Sequence, residues 1–127
     1  RNVSDGGAFE AFRGDRIPNR PYLFANGSLR FRESHLFVDG DSLTARWESR
    51  YVHSYYRGWE SVGREKFKKE IPSQWLQSPS VTYAVENDGR ALSATLEVQN
   101  LTDVDAFDFF GVQKPGRAVY FKATVEL

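Results

Sequence analysis

The chain contains no cysteine and no methionine. Without cysteine, a disulfide framework and a thiolate metal site are both excluded. Net charge is missing too: Lys and Arg together number 17, as do Asp and Glu. Nucleic-acid binders usually carry a basic excess, so nucleic acid is not an expected partner. No run of about 18 apolar residues exists, which excludes a transmembrane helix. A membrane is not thereby excluded, because a barrel strand needs only about 9–11 residues and gives a weaker hydropathy signal. Helical periodicity of useful length, internal repeats and low-complexity tracts are absent as well. The sequence opens on Arg1 with no signal peptide, from which a processed piece of a longer protein is expected.

What the chain does have is alternation. Its 127 residues suffice for one domain, and aromatics make up 15% of them at a mean hydropathy of −0.55, so rings and charges must be interleaved. Residues 1–21 read as loop: "RNVSDGGAFEAFRGDR" is Gly-rich and aperiodic, and "IPNRP" then marks entry into extended structure. From Tyr22 to Arg32, Leu23, Ala25, Gly27, Leu29 and Phe31 alternate with a more polar set. From Leu43 to Tyr55, Ala45, Trp47 and Tyr51 alternate with Arg46, Glu48 and Arg50. A helix would scatter those charges around its cylinder; a strand stacks them on one face. The same period of two recurs over residues 80–86, 91–99 and 117–127. "ENDGR" between two of these runs predicts a hairpin, since Asp-Gly tolerates the positive φ angles of a type I′ turn. The expected fold is therefore all-β: an antiparallel meander of about five amphipathic strands, near 22–32, 43–55, 80–86, 91–99 and 117–127.

Each strand has one nearly uncharged face and one face bearing Arg, Glu, Lys or Gln. A water-soluble antiparallel sheet with one face on a core has this pattern. So does a membrane barrel with lipid outside and water inside, and the period alone leaves both open. Two features favour the barrel. Short turns (33–42, 87–90) alternate with long connections (56–78, 100–116), as in barrels with turns at one end and loops at the other. Aromatics gather at strand ends (Tyr22, Phe24, Phe31, Tyr51, Tyr55, Tyr56, Trp59), where amphipathic rings suit a membrane interface. About eight strands are the small end for closure, so five would form an open sheet completed by a longer chain.

The segments "RIPNRPYLFANGSLRFR", "RYVHSYYRGWESVG", "IPSQWLQSPSVTYAV", "LSATLEVQNLTD" and "FDFFGVQKPGRAVYFKATVEL", in that order, resemble the C-terminal end of a TonB-dependent outer-membrane receptor. The resemblance runs from Arg16 to the end. It implies residues 1–127 as the open C-terminal portion of a large transmembrane β-barrel of the plugged, 22-strand kind, with no match to the plug domain. The complete receptor would sit in the bacterial outer membrane. It would import a scarce ligand, such as a siderophore, haem, cobalamin or a glycan, with energy delivered by TonB. This segment would build and close the barrel wall. Implied partners are outer-membrane lipid, the rest of the barrel, the plug, the TonB complex and the barrel-assembly machinery. The connections 56–78 and 100–116 would be extracellular, and Arg46, Glu48, Arg50, Glu97 and Lys122 would face the lumen. Val119, Phe121, Ala123, Val125 and Leu127 would form the closing strand's lipid face and its assembly signal. That signal usually ends in Phe, so Leu127 departs from it: either Leu is tolerated or the native terminus lies further on. Competing readings are a soluble β-sandwich or small β-barrel ligand-binding module, and a complete small membrane barrel.

Chemistry-bearing motifs are few. His35 and His53 are far apart in the chain and read as turn and belt positions, and "DVDAFD", with Asp103, Asp105 and Asp108, misses the spacing of a calcium loop. Walker, Rossmann and nucleophile-elbow motifs are absent, so no enzyme, metal or cofactor is expected. Three glycosylation sequons, at Asn2, Asn26 and Asn100, matter only under a secreted eukaryotic reading. Tyr56, Arg57 and Trp59 in the first long connection are the candidate ligand contacts, because aromatic and Arg side chains often anchor recognition.

Overall fold

The computed structural model describes residues 1–64 and 69–126. The architecture is all-β, with strands β1 (Phe24–Ser34), β2 (Asp41–Val52), β3 (Tyr55–Tyr56), β4 (Glu70–Ile71), β5 (Gln74–Asn87), β6 (Arg90–Gln99) and β7 (Ala118–Glu126). Five strands form one antiparallel sheet in the order β1-β2-β5-β6-β7, and β3 pairs with β4 in a separate ribbon. The large sheet is not a closed barrel.

Strand boundaries differ from expectation in two informative places. The run expected over 43–55 ends at Val52, and Tyr55 belongs to the small ribbon, opposite Ile71. The reason is burial: Tyr55 is only 3% exposed, packs in a cluster with Val52 and Ile71, and donates its hydroxyl to the Asp108 carbonyl at 2.6 Å. The strand expected over 80–86 starts earlier, at Gln74. Its ladder to β6 begins at Ser80, just past Pro79, which has no N–H to donate. The earlier half is tied by side chains to β2. Trp75 Nε1–H donates to Ser49 Oγ at 2.8 Å, and Trp47 Nε1–H donates to Gln77 Oε1 at 2.6 Å.

The chain divides into two compact units. A loop unit comprises Arg1–Ala25, Tyr51–Gln74 and Asp105–Lys114; a sheet unit comprises Asn26–Arg50, Trp75–Val104 and Pro115–Leu127. The loop unit has a small core of Val52, Tyr55 and Ile71, with Phe107 packed against it and Ala106 buried nearby in the chain. In the sheet unit, by contrast, no apolar side chain among the described residues is buried. Its two buried residues, Asp41 and Asn100, are polar.

Register gives the two faces of the sheet. Val85, Leu92 and Val125 lie opposite one another, as do Tyr83, Ala94 and Ala123, then Val81, Leu96 and Phe121. The other face carries Thr82, Thr95 and Lys122, then Ser80, Glu97 and Tyr120. Polar side chains on the apolar side are paired: Gln77 Nε2 donates to Ser49 Oγ at 3.1 Å, which, with the two indole N–H bonds, leaves neither residue bare.

Two turns fix this register. Asp88 and Gly89 both have positive φ, 49° and 77°, as a type I′ hairpin requires. The β1–β2 turn is organised by Asp41, whose carboxylate accepts N–H bonds from Leu36 (2.7 Å), Phe37 (2.9 Å) and Val38 (3.1 Å) and the Tyr83 hydroxyl (2.9 Å). Beside it, Gly40 has φ +81°, and a Cβ there would fall 2.2 Å from the Glu86 carbonyl oxygen. Only glycine lets this turn reach the β5 backbone, where Glu86 N–H donates to Gly40 O at 3.0 Å.

Gly40→Ala should therefore destabilise the sheet by about 1–3 kcal/mol, combining positive φ with a backbone clash. Gly27→Ala, with nothing within 4 Å of its Cβ, is the matched control and should be near neutral. Denaturant midpoints of the two variants, taken in whichever of buffer or detergent micelles keeps the chain folded, check this; equal midpoints would mean that the turn does not determine the register.

Candidate functional site

Two features stand out: the open faces of the sheet unit and a recess in the loop unit. On the apolar face, Val119, Phe121 and Val125 are 64%, 73% and 62% exposed. With Ala123 they sit opposite Val98, Leu96, Leu92 and Ala94 of β6, in one continuous apolar array. Leu127, the last member of the expected assembly signal, lies outside the described residues. Leu29 and Phe31 of β1 are also exposed.

On the charged face, Arg46, Glu48 and Arg50 converge on a concavity of about 490 Å³ that also includes Asn26, Ser28 and Ser78. Arg46 and Glu48 form an ion pair at 2.5 Å, both half exposed. Such a pair contributes little stability by itself, about 0–1 kcal/mol. Glu97 and Lys122 share this face through the β6–β7 register, and Glu97 accepts a bond from Gln99 Nε2 at 2.8 Å. Thr82 and Thr95 hydroxyls meet across β5 and β6 at 2.9 Å.

The recess, of about 400 Å³, is lined by Tyr56, Arg57, Trp59, Val62, Arg64 and Lys69. It thus brings together the three residues singled out as ligand contacts and adds two cations. Its position is set by backbone bonds. Arg57 N–H donates to Lys69 O at 3.0 Å, and Asn19 N–H donates to Tyr56 O at 2.9 Å. Trp59 stacks on Phe12, with centroids 4.6 Å apart and planes within 8°, and lies 5.8 Å from Phe9. Asp15 accepts both the N–H and the hydroxyl of Ser61, and Glu60 accepts the Arg16 N–H at 3.1 Å.

The stretch 9–16, expected to be featureless loop, is therefore what braces the recess. The signal for it was weak: Phe9 and Phe12 are spaced for one turn of helix, and a single 3-10 turn, Glu10–Phe12, does form there. In the same unit, burial pushes the Tyr55 hydroxyl pKa up, which favours the protonated form that donates to Asp108 O.

The remaining candidates have structural employment. Asp103 accepts Arg117 N–H at 2.7 Å, Asp105 accepts Gln113 Nε2 at 3.1 Å, and Asp108 accepts Phe110 and Val112 N–H groups at 2.9 and 2.8 Å. They brace loop turns, and no metal-ligating cluster occurs among the described residues. His53 Nδ1 meets the Tyr51 hydroxyl at 2.8 Å, with the Tyr22 ring edge-on, while His35 occupies a positive-φ turn position. Asn2 and Asn100 are buried and donate their amide nitrogens to the carbonyls of Phe9 and Val104, so both sequon nitrogens are already engaged.

If residues 9–16 hold the recess, Phe12→Ala should speed amide hydrogen exchange across residues 57–64 by roughly two- to tenfold, the worth of one aromatic pair. Unchanged exchange would mean that the loop is held by other contacts. Comparison with known proteins finds no matching family model, curated protein or solved structure.

Proposed function

We propose that this chain is the C-terminal wall segment of a TonB-dependent receptor in the bacterial outer membrane, and that it helps to build and close a barrel through which a scarce ligand is imported. The observation that carries the reading is the sheet unit's lack of any buried apolar side chain among the described residues. Ordering a backbone costs about 1–2 kcal/mol per residue, and such a sheet has no apolar burial of its own to offset that. Lipid against the Val81, Leu96 and Phe121 face and neighbouring strands at β1 and β7 would supply what is missing.

Three further features support it. The long sheet strands run from 9 to 14 residues, the length needed to cross a bilayer at a tilt. One face is apolar and the other carries Arg46, Glu48, Arg50 and Lys122, which suits lipid outside and a water-filled, plugged lumen inside. The connections alternate short and long, matching periplasmic turns and extracellular loops. No helix among the described residues is long and apolar enough to cross a membrane, so any crossing would be made by strands. In this reading the chain performs no catalysis. The scarce ligand's identity would be set by the plug and several loops together.

The test is solubility and cooperativity. Purified without detergent, the chain should fail to give a monodisperse, cooperatively unfolding monomer. Such a monomer would overturn the barrel reading in favour of a soluble β-sandwich or small β-barrel binding module. The upstream DNA gives an independent check, since the reading frame should continue into a plug domain. The faces make a sharper prediction. Within an intact barrel, Ala45→Arg would turn a charge to lipid at about 2–4 kcal/mol near the midplane and should impair assembly far more than Arg46→Ala. Equal assembly of the two would reverse the face assignment.

A further inference from the structure

The loop unit's recess has a composition that points to a ligand class. Its volume, about 400 Å³, lies within the roughly 300–1,000 Å³ typical of small-molecule sites. Among the described residues, three cations line it, Arg57, Arg64 and Lys69, and no carboxylate does. None of the three forms an ion pair among the described residues. The acidic side chains on the neighbouring braces are committed elsewhere: Glu60 to Arg16, and Asp15 to Ser61. Three like charges converging on one concavity repel each other, and an anion placed among them relieves that repulsion. Guanidinium groups in particular hold phosphate or carboxylate oxygens through paired, charge-assisted hydrogen bonds.

Two rings, Trp59 and Tyr56, also line the recess. Trp59 is stacked on Phe12, and the Tyr56 backbone is paired with Glu70. A ring held in place before binding, as Trp59 is, loses little rotamer freedom when a ligand arrives. We propose that this recess binds a small anion: a ligand with phosphate or carboxylate groups on a ring-bearing body, its charge met by Arg57, Arg64 and Lys69 and its ring by Trp59 and Tyr56. The site stands on the loop unit alone and does not depend on whether the sheet lies in a membrane.

The experiment is calorimetric titration of the full chain, in whichever of buffer or detergent micelles keeps it folded, with 1-naphthyl phosphate as probe. Saturable binding is expected, roughly tenfold tighter than for inorganic phosphate or for neutral 1-naphthol, because each lacks half of the recognised chemistry. Arg64→Gln with Lys69→Gln should weaken it roughly tenfold or more. Arg57 is left intact because its chain lies against the Gly111 backbone. Lys114→Gln, a cation outside the recess, should leave the affinity unchanged, and circular dichroism should be the same for all variants. Absence of saturable binding to both the soluble probe and acidic vesicles overturns the proposal, as does an equal loss on Lys114→Gln, which would mark non-specific charge attraction. Phosphatidylcholine vesicles with and without phosphatidic acid separate the sources. Binding to the acidic vesicles that needs Arg64 and Lys69, without binding of the soluble probe, would keep the anion site and assign its phosphate to a lipid headgroup.

Discussion

An amphipathic sheet must set something other than water against its apolar face, and in the sheet unit the described residues do not provide it. Leu92, Leu96, Val119, Phe121 and Val125 form one array with no side chain buried. What fixes the geometry is therefore directional: the backbone ladders, the Thr82–Thr95 contact, and the Trp47–Gln77 and Trp75–Ser49 bonds. Each such bond adds only about 0.5–1.5 kcal/mol net. Hydrogen bonds can specify a register at that strength. They are a poor substitute for an apolar core, whose buried side chains contribute about 1.5–3 kcal/mol each. Specification and stabilisation are thus separated in this molecule, and a covering medium or a neighbouring strand is the natural complement.

The same economy governs the turns. Asp41, Asn100, Asp103 and Asp108 each use a short polar side chain to satisfy backbone N–H groups that the local chain reversal leaves without a ladder partner. Acidic residues grouped in one loop then look like a ligand set in sequence and act as backbone acceptors in space. Gly40 completes the most constrained turn, where a side chain would collide with the β5 carbonyl.

The loop unit works the other way. It has a small apolar core, a buried tyrosine whose hydroxyl reaches a distant loop, and an N-terminal segment stacked on Trp59. Besides the Arg57–Lys69 backbone bond, the recess lined by cations and rings is braced by Phe12, Asn19 and Asp15, which do not line it. Holding a loop with neighbours outside its binding surface keeps the lining residues available to a ligand.

Much of the sheet was legible in the sequence because side-chain alternation is a property of the extended backbone and needs no neighbours. Leu92, Ala94, Leu96 and Val98 had to share a face once the segment was extended, and Asp88-Gly89 had to turn. The failures have one physical cause. Tyr55 leaves the alternating run for a core with Ile71, β5 begins at Gln74 beside its sheet neighbour β2, and the aperiodic stretch 9–16 braces Trp59. Each depends on partners far away in the chain, such as the Asp15 and Ser61 pair, 46 residues apart. The sequence by itself determined which residues can face together and where the hairpin reverses, because those follow from local backbone geometry. Only the tertiary structure decided which loops pack into a unit, which aspartates serve the backbone and which cations converge on one recess, because those depend on burial and contact between segments that no local period encodes.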